Sequence, residues 1–411
     1  MLTRHRLRAH AFIFAAALWS VYVWNISAPG LRDRAGNLKG TDFLHFYTLG
    51  SLALAHDGSD LYEMQAQAAV ARRRVPDANG ILYLPLYPPQ VSVLFAPFAK
   101  LSYGAALTSW LVLSAFIYSL CCFAVWRTCS SLLGATATVF LAALGFPAFW
   151  HLIAWGQTSA IALGLLTLAF LALRGQHEFL AGLAFGGLIF KPQLGLAAAL
   201  IFLATLRWRV ILGALLSAAA ELCAGLAYYG VEPLRQWLRM MWNTPALLSL
   251  LEPRTYQTHC LRTFWSMLIP SSGVAGVLYL LTTVLVAALA ISIWKSALPL
   301  SLRYSGFLFA TVLLSPHLTV YDLVILAPAF LFLADYLCGS NDHDSAKLKP
   351  LLYATYLSPL IGPLAMWTHV QLSVVLMCAV MFVLWKIGRR STAGAEAIRP
   401  RHVQFARAPE A

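Results

Sequence analysis

Apolar runs cover this chain from about residue 10 to residue 387, interrupted for the most part by short turns. Among the structures that satisfy backbone amides in lipid, runs of this length select α-helices. Composition agrees: 60% of residues are hydrophobic, 11% are charged and the mean hydropathy is +0.71. The expected fold class is all-α, a polytopic membrane protein, and an ordinary soluble domain is excluded.

Candidate spans lie near 10–28, 103–126, 130–151, 157–174, 178–190, 192–206, 209–230, 271–294, 303–315, 319–337, 349–367 and 369–387, about twelve in all. Several are too short to cross ~30 Å of hydrocarbon at 1.5 Å per residue. The pairs 178–190/192–206 and 303–315/319–337 are split at Pro192 and Pro316. The first run follows Arg4, Arg6 and Arg8 without a small-x-small cleavage site, so it reads as a retained span. One transmembrane domain, 1–390, is expected, with external loops at 29–102 and 231–270 and a disordered tail at 391–411.

A net charge of +13 raises the question of nucleic acid. The cations sit instead in short turns and the tail: Arg127, Arg174, Arg207, Arg209, Lys295, Arg303, Lys347, Lys349 and Lys386 onward. With the N-terminus inside, all of these fall on one side, which places both termini in the cytoplasm and makes membrane lipids, not nucleic acid, the partner. The membrane expected is the plasma (inner) membrane. Arg72, Arg73 and Arg74 fall on the opposite side, in a long segment where the positive-inside rule has little force. The stretch 88–101 reads as an interfacial or re-entrant helix, because a crossing there would break the parity.

On that external side, residues 41–56 are predicted to form an amphipathic helix with Thr41 as N-cap and Asp42 in its first turn. Asp42, His45, Phe46 and Leu49 share one face at i, i+3, i+4 and i+7. Asp60-Leu-Tyr-Glu63 has capping-box spacing for a second surface helix, about 60–74. Lys191 opens an external turn after an apolar run. A lysine in lipid costs about 2.5–3.5 kcal/mol at mid-bilayer, so it is expected to face a cavity or an anion. His317 and Tyr321 share a helix face at i, i+4, and Asp322 follows as a cap or as the partner of a base. Six of the seven cysteines fall in or beside spans and Cys260 lies in a loop, so neither a disulfide framework nor a metal spacing is expected. No Gly-rich nucleotide loop, G-x-S-x-G elbow or D-x-D pair is present, and a lipid-linked substrate fits that pattern.

The run Thr41-Asp-Phe-Leu-His-Phe-Tyr-Thr-Leu-Gly50, followed by Asp60-Leu-Tyr62, resembles the first external loop of family 87 GT-C glycosyltransferases. The resemblance continues through Tyr87-Pro-Pro89 with Pro97, Gly156-Gln157, Ala181-Gly182 with Lys191-Pro192, and Ser315-Pro-His-Leu-Thr-Val-Tyr-Asp322. It runs in order over about residues 40–340. One departure stands out: where the family often shows an Asn-Gln-Ser-type sequence, this chain has Tyr256-Gln-Thr-His-Cys-Leu-Arg262.

The resemblance implies an inverting transfer of a hexose, mannose by the family's pattern, from a polyprenyl-phosphate sugar donor to a lipid or glycan acceptor at the outer face. Asp42 is the implied general base. Such chemistry needs a base on one face of the sugar and positive charge or hydrogen-bond donors for the leaving phosphate on the other. It needs neither cofactor nor metal. Lys191, His317, Gln157, His45, Arg254, Arg262 and Tyr321 are the expected donor phosphate and sugar contacts. The alternative is a lipid or solute transporter or flippase, which would carry ionisable residues near span centres and an inverted repeat. A structural membrane subunit explains the apolarity but not the ordered polar set.

Overall fold

The computed structural model describes residues 4–340 and 343–398. Among these, 81% are helical and there are no strands. The helices are α1 (Arg4–Ile26), α2 (Thr41–Leu54), α3 (Met64–Arg74), α4 (Gln90–Ala99), α5 (Tyr103–Trp126), α6 (Thr136–Leu144), α7 (Pro147–Trp155), α8 (Ser159–Arg174), α9 (Glu178–Gly186) and α10 (Leu196–Ala204). They continue as α11 (Trp208–Tyr229), α12 (Val231–Asn243), α13 (Leu248–Leu251), α14 (Leu261–Leu268), α15 (Ser272–Lys295), α16 (Leu300–Leu314), α17 (Ala327–Gly339), α18 (His343–Leu357), α19 (Ala365–Thr368) and α20 (Leu372–Ile398).

Among the described residues, six helical stretches are long and apolar enough to cross a membrane: Arg6–Ile26, Tyr103–Trp126, Trp208–Tyr229, Ser272–Lys295, Val320–Gly339 and Leu372–Thr392. A seventh arises if Ser130–Leu144 and Pro147–Trp155, bent by 46°, form one broken span. The chain is an all-α polytopic membrane protein, and of the expected count of about twelve, six or seven stretches among the described residues have full span length. The difference is physical. Four of the expected spans, now Ser159–Arg174, Glu178–Phe190, Pro192–Ala204 and Leu300–Leu314, are too short to count alone, and so is Gln90–Ala99, which was not expected to cross. Gln90–Ala99 is about 15 Å long, half the hydrocarbon thickness.

The first inter-span segment departs from two surface-lying amphipathic helices. Helix α2 is buried from Phe43 through Gly50, because α4, α5 and α7 enclose it. Phe43 packs among Phe95, Phe98, Tyr103 and Trp110, with ring centroids 5.9–6.4 Å away. The first polar turn then sits at the edge of an aromatic core rather than on a lipid surface. Thr41 is not the N-cap. Gly40 holds that position at φ 63°, and the Thr41 hydroxyl donates instead to the Leu38 carbonyl at 2.7 Å. Tyr103 Oη donates to the Lys39 and Gly40 carbonyls at 2.8 and 2.9 Å, which pins the entry to α2.

The expected capping box at Asp60–Glu63 does not form. Ser59–Tyr62 is a short 3₁₀ turn stabilised by Asp57, whose Oδ1 accepts from the Ser59 hydroxyl at 2.8 Å, and Glu63 precedes α3 without a side-chain cap. Arg74 is used internally, stacked 5.2 Å over the Tyr47 ring and donating to Tyr47 Oη at 2.8 Å and to the Ala99 carbonyl. At the C-terminus, α20 runs to Ile398, so residues 391–398 of the tail expected to be disordered are helical. Residues 399–411 lie outside the described residues.

Candidate active site

Gly156 ends α7 at φ 70°, where a Cβ would come within 2.8 Å of Phe43 Cβ. Only glycine lets the α7–α8 turn approach α2 this closely. Trp110 Nε1 donates to the Gly156 carbonyl at 3.0 Å and locks the approach. The neighbours of that contact are Asp42 and Gln157. Gln157 Nε2 donates to Asp42 Oδ2 at 2.7 Å and to Tyr321 Oη at 3.0 Å.

These groups border a cavity of about 370 Å³, within the usual range for ligand pockets. Its walls come from six separate stretches: the start of α2, the loop 82–87, the Trp155–Gln157 turn, the break 190–193, the segment 241–258 and the turn 316–322. Asp42 lies partly exposed in this wall. Burial, offset in part by the Gln157 hydrogen bond and the charge of Lys191, raises its pKa to about 6. A carboxyl so tuned is an efficient proton acceptor near neutral pH.

Lys191 is 4% exposed and its charge is already matched. Its ammonium donates to Asp322 Oδ1 at 2.8 Å and to the Ser159 hydroxyl at 3.3 Å, and lies 5.4 Å over the Tyr321 ring. Ser159 also donates to Asp322. Asp322 Oδ2 accepts from the Thr319 amide and hydroxyl, so one carboxylate caps its own helical turn and neutralises the lysine. Lys191 therefore reaches the cavity wall as half of a buried pair rather than as an open cation.

Across the cavity stands a group that the sequence reading did not single out. Glu252 is 7% exposed and accepts from His317 Nδ1 at 2.7 Å and from Arg262. Burial pushes the Glu252 carboxyl up, but the bond to His317 and the neighbouring Arg262 outweigh it and hold the group below the usual range. An ionised carboxylate only accepts, so His317 Nδ1 carries the proton and Nε2 is the ring's remaining polar atom. Glu252 is one of 16 acidic residues in the chain, and its place two residues before Arg254, ahead of Arg262 in the same loop, was the available signal.

Seven of the eight residues expected at the site line this cavity: Asp42, His45, Gln157, Lys191, Arg254, His317 and Tyr321. Arg262 does not. Its guanidinium is turned to Glu252 and to the Pro316 carbonyl, 2.6 Å away, where it holds two loops together. Arg254 is exposed on the cavity wall, and among the described residues no ion pair is formed by it. His45 is 5% exposed, stacked on Tyr83 at 4.8 Å and 4°, and burial pushes its imidazole down to about 3, so it is neutral. Tyr83 Oη in turn donates to the Thr41 carbonyl beside Asp42.

The cavity thus has two poles: a tuned carboxylate held by an amide, and an arginine with a carboxylate-oriented histidine. No curated protein and no solved structure matches this chain. The family model for glycosyltransferase family 87 matches residues 86–316, which covers Gln157, Lys191, Glu252, Arg254 and Arg262 and stops one residue before His317. That match spans more than half of a polytopic helical chain whose polar cavity is built largely from the matched segment, and the protein belongs to glycosyltransferase family 87.

Proposed function

We propose that this glycosyltransferase moves a hexose, mannose by the pattern of the family, from a polyprenyl phosphate to a lipid or glycan acceptor at the outer face of the plasma membrane. The acceptor hydroxyl attacks C1 of the sugar opposite the phosphate, and its proton passes to Asp42 Oδ. The bond from C1 to the phosphate oxygen breaks, and its electron pair leaves with the phosphate, so configuration inverts. Tyr321 and Gln157 orient the base, with Gln157 donating to both partners. Arg254 takes the phosphate charge, joined by His317 as the imidazolium, with Nδ1–H on Glu252 and Nε2–H donating to the phosphate. Lys191 contributes through its pair with Asp322, which keeps the floor of the cavity polar and rigid.

The observation that carries this reading is the carboxylate of Asp42, raised to about 6 and held at 2.7 Å by Gln157 on a cavity wall. The test is Asp42→Asn, which keeps the shape and the amide contact. Loss of a general base slows transfer roughly 10²–10⁴-fold. Purified variant and parent are compared with labelled polyprenyl-phosphate-mannose and a membrane lipid extract. Transfer by Asp42→Asn at the parent rate would remove the base assignment.

A further inference from the structure

Helix α12 has one face committed to the fold and one face left bare. Trp237 is buried beside Leu49, Leu52, Leu61, Tyr62 and Val70, and its Nε1 donates to the Leu86 carbonyl at 3.0 Å. The opposite side exposes Val231 (47%), Leu238 (56%) and Trp242 (86%), which fall in one stripe at i, i+7 and i+11. Arg235 and Arg239 flank that stripe with side chains 60% and 72% exposed. Glu232 lies 3.7 Å from one and 3.8 Å from the other, so two guanidinium groups share a single carboxylate and an excess positive charge remains.

This combination does not suit hydrocarbon or water alone. The bare face of α15 exposes Leu280, Leu281 and Val284, an uncharged lipid-facing pattern, whereas α12 pairs exposed Trp and Leu with arginine. Tryptophan, apolar side chains and arginine on one face belong to the boundary between headgroups and acyl chains. The position along the chain agrees. Only Gly230, at φ 80°, separates α12 from α11, one of the six helices able to cross a membrane, so α12 begins where that span leaves the bilayer.

We infer that the outer face of α12 binds the headgroup of an anionic phospholipid in the leaflet where α11 ends, with Arg235 and Arg239 on its phosphate and Leu238 and Trp242 among the acyl chains. The exposed pairs with Glu232 are weak enough for the arginines to turn to a lipid phosphate. The chain continues from α12 through Thr244 to Leu250–Arg254, which line the cavity, so the bound lipid steadies the segment that walls the site. This surface stands independently of the sugar chemistry.

The test uses the full chain in phosphatidylcholine vesicles containing a minor fraction of lipid brominated on its acyl chains. The signal of Trp242 is the fluorescence difference between the parent and Trp242→Phe. Brominated phosphatidylglycerol is expected to quench this signal several-fold more than the same fraction of brominated phosphatidylcholine. In the double variant Arg235→Gln/Arg239→Gln, the preference should vanish while quenching persists. Equal quenching by both lipids in the parent overturns the anionic headgroup. Absence of quenching by either overturns the membrane placement and leaves the face for water or a protein.

Discussion

At the scale of single residues, the chemistry we propose rests on how Asp42 is held. Burial raises its carboxyl to about 6, even against the Gln157 bond and the charge of Lys191. A base acts only when ionised, so kcat/KM is expected to fall roughly tenfold per pH unit below about 6 and to flatten above it. A pH–rate profile of the purified enzyme checks this; a plateau reaching down to pH about 4 would contradict it. The thermodynamic sign runs the other way. An acid whose folded pKa is raised takes up a proton on folding, so its stabilising contribution exists below the ordinary 3.8 and is lost as pH rises through about 6. Asp42→Asn is therefore expected to melt no lower than the parent at pH 7 while losing transfer, which separates function from folding in one variant.

At the scale of elements, the pair Lys191–Asp322 joins three pieces of chain: the break between α9 and α10, the start of α8 through Ser159, and the turn leading into α17. A buried charge stripped of its partner costs about 3–5 kcal/mol, whereas replacing both partners is often close to neutral. Lys191→Met should therefore lower the melting temperature markedly. Lys191→Met/Asp322→Asn, which keeps an acceptor for Thr319, should recover most of the loss and retain measurable transfer. Thermal unfolding and transfer assays on the same preparations decide it. A double variant that is stable yet inactive would return Lys191 to phosphate binding.

At the scale of the whole molecule, helix direction sorts the polar groups. Helix α8 starts two residues after the cavity-lining Gln157 and ends at Arg174, and α16 runs from near Arg303 to the turn that carries His317. Val320–Gly339 starts on the cavity wall and leads away from it, and α5 ends next to Arg127. Cavity and basic turns thus lie toward opposite helix ends, and the orientation we propose, with the cavity outside, follows from the positive-inside rule. With Cys223 and Cys338, both exposed, replaced by serine, Asn79→Cys should react with an impermeant maleimide in intact cells, and Arg127→Cys only after lysis. The reverse pattern would invert the proposed orientation. Much of the site was readable from local order, because Asp42, Gln157 and Tyr321 each sit in a short motif that also sets their backbone. What could not be read were the partners. Glu252 and His317 are 65 residues apart, and Lys191 and Asp322 are 131 apart, separations that no local period encodes. The burial of α2 was missed for the same reason, since its polar face gives a surface-helix pattern until α4 and α5 cover the rest. Short helices were counted as spans because hydropathy measures apolarity and not whether a break lies within.

The backbone contact between Gly156 and Phe43 sets the spacing of carboxylate and amide by main-chain geometry, with no rotamer in between. The opposite wall, 241–258, belongs to a loop joined to its surroundings by a few side-chain links. Positions of that wall other than Glu252 and Arg254 are thus free to change, while any side chain at position 156 pushes Asp42 and Gln157 apart.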